Sequence, residues 1–292
     1  MNLSPNVRSS LYMMLSMSGF TINDALIKSL DGSLSTSQVI WIRGCFLSSM
    51  ILLIVWQRGL LPRCREAISI RISIRALCEG GATLLFLTAL VQLPFANLAA
   101  ILQSLPLAVT VGAALFLREP VGWRRWLAII VGFVGVMIII RPGMDGFQFA
   151  SILVLFSVIF AAARDLVTRQ LPAQLPSLLV SGFSAIFITI LGMAITLTIG
   201  EWTPMSVAQI STLAVAAFFL FFGYQFIVLS MRTGDVAVVV PYRYTGLLWA
   251  ILLGYLFFDE VPDGYTLLGS AIVVSMGLYT MYRELKISRQ QG

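Results

Sequence analysis

The chain reads as an all-α polytopic membrane protein, with ten transmembrane helices forming two inverted five-helix repeats. Three observations predict this. Of 292 residues, 59% are hydrophobic and 11% charged, where a soluble domain averages about 25% charged. The apolar runs are continuous rather than alternating, which argues for helices and against a membrane β-barrel. The sequence also repeats at an offset of 141 without a gap: Asp24 falls on Asp165, Lys28 on Arg169, Leu115-Phe116 on Leu256-Phe257 and Glu119 on Glu260.

The expected spans, in order, are 9–28, 37–56, 72–92, 95–117, 123–140, 147–168, 177–199, 207–231, 236–258 and 264–282. The first is kept as a span because no small-residue cleavage signal follows it. Gly80 to Leu117 contains no charge and is too long for one crossing. Gln92-Leu93-Pro94 breaks it into the third and fourth spans with a tight hairpin. The fifth span needs Arg124 and Arg125 to snorkel to the surface. Pro172 and Pro176 push the start of the seventh past them. The last ends where Arg283 closes an uncharged run from Gly264. The repeats are expected at 1–142 and 143–292. A repeat with an odd number of crossings enters the membrane from opposite sides in its two copies. That is the architecture of secondary transporters, with a site between the copies near the midplane.

Orientation follows from Lys and Arg. With the N-terminus inside, the inner segments carry 13 cations: Arg8, Arg58, Arg63, Arg65, Arg71, Arg118, Arg124, Arg125, Arg169, Arg232, Arg283, Lys286 and Arg289. The outer segments carry 2, Lys28 and Arg141. Both termini are therefore expected in the cytoplasm. The same distribution accounts for the net charge of +6 without nucleic acid. Arg43, Arg75, Arg164 and Arg243 remain within spans. Cys45, Cys64 and Cys78 read as buried small apolar residues. The chain has no histidine, which removes imidazole catalysis and histidine metal sites. No cofactor, no metal site and no catalytic residue is expected. Without a GxxxxGK[ST] sequence, nothing indicates ATP use.

Glu79 lies about two turns into the third span, where a carboxylate faces water or a partner. Thr83 and Phe86 share its face. It reads as a contact for a substrate ammonium group, as a proton carrier, or as an i,i+4 partner of Arg75. Asp24 and Asp165 are repeat mates, each followed at i+4 by a cation, Lys28 or Arg169. They read as ion pairs fixing helix ends, or as gating or coupling residues on opposite faces. Arg164 reads as a clamp for a substrate carboxylate or as a snorkelling cation. Span nine contains Pro241-Tyr242-Arg243-Tyr244-Thr245-Gly246. In span four, Gln103-Ser104 falls on Tyr244-Thr245, with Pro106 nearby. Two proline-disturbed polar segments in matching positions point to a midplane site, with Gln103 and Tyr244 in contact with substrate and Pro106 and Pro241 as bends. Interhelical polar packing is the other reading. Tyr224 and Gln225 stand out from the aromatic run of span eight.

The helix-end acids in Leu115-Phe116-Leu117-Arg118-Glu119-Pro120 and Leu256-Phe257-Phe258-Asp259-Glu260-Val261-Pro262 are each followed by a short turn and a small-residue-rich apolar helix. In this the chain resembles the drug/metabolite transporter superfamily, in its ten-helix branch of two EamA-type domains. The family's usual glycine before that acid is replaced by Arg118 and Asp259. The resemblance implies export of small metabolites, with amino acid exporters, including those for aromatic or other apolar amino acids, as the nearest relatives.

The sequence thus predicts a secondary transporter exporting small molecules by alternating access, not an enzyme. Its substrate-binding candidates are Glu79, Thr83, Gln103, Arg164, Tyr224 and Tyr244. Asp24, Asp165, Pro106 and Pro241 are its gating or coupling candidates. It is expected as a monomer in the bilayer of a bacterial cytoplasmic (inner) membrane. Two alternatives compete: a channel, and a lipid-modifying transferase using Asp259, Glu260 and Asp263 to bind a divalent metal.

Overall fold

A computed structural model describes residues 4–118, 122–143, 147–172, 174–199, 202–233 and 236–291, with backbone alone at 232, 236, 237, 240 and 284–291. Its helices are α1 (Pro5–Lys28), α2 (Thr36–Gln57), α3 (Ile70–Leu90), α4 (Phe95–Leu102), α5 (Leu105–Phe116) and α6 (Trp123–Ile140). The second half holds α7 (Ala150–Arg169), α8 (Ser177–Ile199), α9 (Val207–Thr233), α10 (Val236–Val239), α11 (Thr245–Phe258) and α12 (Gly264–Gln291). Two 3-10 segments, Leu61–Ala67 and Val240–Tyr244, complete it, and no strand occurs among the described residues. Serine caps start three helices. The side chains of Ser4, Ser35 and Ser69 accept from the amides of Val7, Gln38 and Ile72.

Eight helical stretches among the described residues are long and apolar enough to cross a membrane. The ten expected spans exceed this by two, α1 and the stretch 236–258. The inward face of α1 is polar, with Ser9, Ser10, Ser16, Thr21 and Asn23 all buried. The stretch 236–258 is broken. Pro241 offers no N–H to the carbonyl four residues back, and the chain tightens into the 3-10 segment. Pro106 does the same between α4 and α5, leaving Gln103-Ser104 outside both helices. The hairpin at Gln92-Leu93-Pro94 falls between α3 and α4 as expected.

The helices pack as two related sets. α1 packs on α9 as α7 packs on α3, α2 meets α9 as α8 meets α3, and α11 meets α1 as α5 meets α7. α2 pairs with α8, α4 with α11, and α6 with α12. The relation extends to single bonds. Ser16 Oγ donates to the Gly223 carbonyl at 2.7 Å, and its mate Ser157 Oγ donates to Ala82, the mate of Gly223, at 2.8 Å. Small polar residues drive this packing, since membrane helices gain little from burying apolar groups against each other. Glu119, the mate of Glu260, lies outside the described residues.

α2 and α8 approach unevenly. A Cβ on Gly192 would lie 2.8 Å from the Trp41 nitrogen and 2.9 Å from the Ser37 carbonyl, so only glycine fits there. At the other end of the pair, a Cβ on Gly182 would meet only Ile51, at 3.2 Å. The first end is closed further by Gln38, which bonds Thr203 twice through its amide (2.7 and 3.1 Å), and by Trp41 against Trp202. The largest apolar cluster lies around the α3–α4 hairpin and includes Leu90, Leu93, Phe95 and Leu98.

Candidate functional site

A cavity of about 250 Å³ sits between the two helix sets. Its lining comes largely in repeat mates: Asn23 with Arg164, Ile40 with Ser181, Gly44 with Ala185, Leu47 with Ile188, Glu79 with Leu220, and Thr83 with Tyr224. It therefore lies on the axis relating the repeats. Four charged side chains reach it, Asp24, Arg43, Glu79 and Arg164, and their formal charges cancel. Phe86, Leu87 and Leu102 give it apolar walls. A smaller cavity of about 70 Å³ shares Ile51, Ser181 and Tyr224 with it and continues to Arg58 and Ser177.

Glu79 is 7% exposed, and a charge so placed needs partners. α3 supplies one from the turn below, where Arg75 Nη1 reaches Glu79 Oε2 at 2.7 Å. α9 supplies the Tyr224 hydroxyl, which donates to Oε1 at 3.3 Å, and α7 brings Arg164 Nη1 to 4.0 Å. Arg75 also donates to Ser184 Oγ, and its Nε to Thr168 at 3.0 Å. Arg164 itself grips Asp165, through Nε at 2.9 Å and Nη2 at 2.8 Å. Beyond Asp165, Arg243 interacts with that carboxylate electrostatically and is not part of the cavity wall.

A second polar set stands on α1 and α2. Arg43 Nη1 donates to Asn23 Oδ1 at 3.2 Å, and Asn23 Nδ2 donates to Asp24 Oδ1 at 2.7 Å.

Of the residues singled out from sequence, Glu79, Thr83, Arg164, Tyr224 and Asp24 line one cavity. Asp165 stands behind it, against Arg164. Gln103 and Tyr244 meet each other beside it, Gln103 Nε2 lying 3.5 Å from the Tyr244 carbonyl. The Tyr244 ring packs on Gly277, with its hydroxyl buried and without a partner among the described residues. Pro106 and Pro241 mark the helix breaks on either side of that meeting point.

Several sequence readings need correction. Lys28 does not turn back to Asp24. It reaches Glu260 at 3.1 Å and the carbonyls of Leu93 and Leu90 at 2.5 and 3.3 Å. Glu260 also accepts the Phe95 amide at 2.5 Å, so this pair ties α1, the α3–α4 hairpin and the end of α11 together. Asp165 pairs with the neighbouring Arg164. Cys45, expected buried, is exposed on α2, and all three thiols are free. The acids proposed as a metal cluster are separately engaged, Glu260 as above and Asp263 with Arg141 and the Thr266 amide. No group of residues able to hold a metal occurs among the described residues.

Arg43 and Asn23 were not singled out from sequence. A cation embedded in a span is a signal in itself, and Asn23 is the repeat mate of Arg164.

Residues 7–141 and 148–282 each match the EamA-like transporter family, the two matches starting 141 residues apart. The chain is similar to a riboflavin transporter of Rhizobium johnstonii, 30% identical over 201 residues, which cover 69% of this chain and 66% of that protein. It is similar to an S-adenosylmethionine uptake transporter of Rickettsia prowazekii, 25% identical over 282 residues, 94% of this chain and 92% of that protein. The pseudopaline exporter CntI of Pseudomonas aeruginosa is 22% identical over 263 residues, 87% and 89% of the two chains. A protein of known crystal structure superposes with a TM-score of 0.66 at 16% identity, over 95% of this chain and 98% of its own, a likeness of fold alone.

Proposed function

Because the chain belongs to the EamA-like transporter family, whose relatives here are transporters of small molecules rather than enzymes, we propose that it exports amino acids by alternating access. The observation carrying this reading is the cavity on the repeat axis, apolar-walled, with two acids and two bases of cancelling charge. A site so balanced favours a zwitterion over an ion of either sign, because unmatched charge in a low-dielectric cavity is expensive. Its volume of about 250 Å³ is small beside the roughly 300–1,000 Å³ of pockets for drug-sized ligands.

In this reading Glu79, Thr83, Arg164 and Tyr224 contact the substrate. Gln103 and Tyr244 hold the helix breaks together, and Pro106 and Pro241 let the broken helices bend. Asp24 and Asp165 couple or gate. Ten segments cross the bacterial inner membrane, with the repeats divided near 142/143, both termini in the cytoplasm and the monomer as the working unit. The Lys28–Glu260 end then faces outward and is shut. The small cavity toward Arg58 and Ser177 leads to the cytoplasm.

The test is reconstitution into liposomes with radiolabelled L-amino acids, riboflavin and S-adenosylmethionine. Saturable counterflow of one or more amino acids is expected. Saturable flux of riboflavin alone would overturn the substrate class. Flux that never saturates would make the protein a channel, and no flux of any probe would remove the transport reading. Accumulation driven only inward would reverse the assigned direction.

A further inference from the structure

We infer that Arg43 receives the carboxylate of the transported molecule and Asp24, beside it, the ammonium group, so that the cavity recognises an α-amino acid moiety. This rests on the reading of the cavity as the transport site.

Four charged side chains line the cavity, but they are not equally available. Glu79 accepts from Arg75 at 2.7 Å and from Tyr224 at 3.3 Å. Arg164 gives two nitrogens to Asp165, at 2.8 and 2.9 Å. A substrate charge displacing Arg75 from Glu79 would break a nearly buried pair, which is strongly unfavourable. One at Arg164 must share that guanidinium with the half-buried Asp165, so these two residues touch the substrate only in addition to their own pairs.

Arg43 is different. It is 7% exposed on α2, and a guanidinium has five N–H donors. Its hydrogen bond among the described residues is one, from Nη1 to Asn23 Oδ1 at 3.2 Å. No described carboxylate stands within 4.0 Å of its nitrogens, and Asp24 acts on it electrostatically from beyond that distance. None of its nitrogens is sealed from the cavity without a partner. Arg43 thus has donors left over, aimed into the space where a substrate would sit. A guanidinium with a free edge matches a carboxylate by two parallel bonds.

Asp24 completes the pair. Asn23 Nδ2 occupies its Oδ1 at 2.7 Å, while the same amide's oxygen accepts from Arg43. One side chain therefore holds a base and an acid apart by the width of an amide group. In an α-amino acid a single carbon separates carboxylate from ammonium, so its recognition needs an acid and a base side by side.

The repeat explains why this set is open. The mates of Asn23 and Asp24 are Arg164 and Asp165, which close on each other. With asparagine at position 23, Asp24 has no guanidinium on the preceding residue to close on, as Asp165 has in Arg164. The mate of Arg43 is Ser184, which serves Arg75.

The experiment measures binding and counterflow with the full-length protein. The probes are L-leucine, L-phenylalanine, L-threonine, L-methionine and S-adenosylmethionine, the carboxamide of each, and riboflavin. At least one acid is expected to bind and exchange, with its amide weaker by roughly tenfold or more, as loss of a charged hydrogen-bonded pair implies. Arg43→Gln should erase the acid–amide difference. Arg164→Gln should lower affinity yet keep that difference. If Arg43→Gln does not fold, Arg43→Lys should narrow the ratio. A ratio untouched by either Arg43 substitution, or abolished by Arg164→Gln, overturns the assignment. Saturable flux of riboflavin alone overturns it while leaving transport intact. No flux of any probe removes the transport reading along with it.

Discussion

The hydroxyls of Ser48 on α2 and Thr189 on α8 lie 3.2 Å apart, and the two residues are 141 positions apart in the chain. Residues related by the repeat can touch only on the axis that exchanges the halves. Gln103 and Tyr244 do the same, 141 positions apart and bonded at 3.5 Å. Points on an axis move least when two halves exchange conformations, while the helix ends move most.

A disulfide between Ser48→Cys and Thr189→Cys, in a chain lacking the three native thiols, should leave transport largely intact. One between Gln38→Cys and Thr203→Cys, at the closed end, should block it, and reduction should restore it. Flux before and after reductant decides. Equal inhibition by both cross-links would remove α2 and α8 from the moving parts.

Glu79→Gln leaves Arg75, whose side chain is 11% exposed, without its closest acid. Breaking such a buried pair costs about 3–5 kcal/mol, visible as a lower thermal midpoint in detergent. Arg75→Gln combined with Glu79→Gln should recover most of that stability but not transport. Recovery of both would reduce Glu79 to a structural partner.

Lys28→Gln removes the tie between α1, the α3–α4 hairpin and Glu260. A change of one or two kcal/mol shifts a two-state population by about 5–30-fold. A cysteine at Leu87, which lines the cavity, should react correspondingly faster with an impermeant maleimide added on the Lys28 side. Unchanged labelling would show that the tie does not hold that end shut.

Asp263 lies outside the spans and accepts the Thr266 amide at 2.8 Å at the start of α12. Partial burial pushes its carboxyl up, but bonds from Thr266 and Arg141 outweigh this and hold it below the usual aspartate value. A carboxylate so depressed contributes stability above its unfolded pKa and loses it as pH falls through the folded one. The side chain is 46% exposed, so screening keeps the ion pair under about 1 kcal/mol, and since asparagine caps a helix as well as aspartate, the substitution removes the charge alone. Asp263→Asn should lower the thermal midpoint near neutral pH and converge with the parent in acid. A constant gap across pH would exclude the charge.

The repeat was legible from Asp24/Asp165 and from Leu115-Phe116/Leu256-Phe257, because membrane helices punctuate a chain clearly. Eight stretches met the test of length and apolarity. α1 did not, since serines, Thr21 and Asn23 run along its buried face, and 236–258 did not, since it is broken at Pro241. What misled was local spacing. Lys28 four residues after Asp24 looks like a helical ion pair, but its partners are 62 and 65 residues on, and then Glu260. Glu79, Thr83, Arg164 and Tyr224 share a cavity no local pattern defines. Arg43 was one of four span-embedded arginines, and only tertiary packing shows which of them has donors left over.

Two identical copies facing each other across an axis would make a chamber that looks the same from either end, and a ligand in it could lie head-first or tail-first. Here Glu79 looks across at Leu220, and Asn23 at Arg164. Fusing the copies into one polypeptide frees each wall to differ. The passage acquires a front and a back, and a molecule inside it can take one pose, presented the same way round on every crossing.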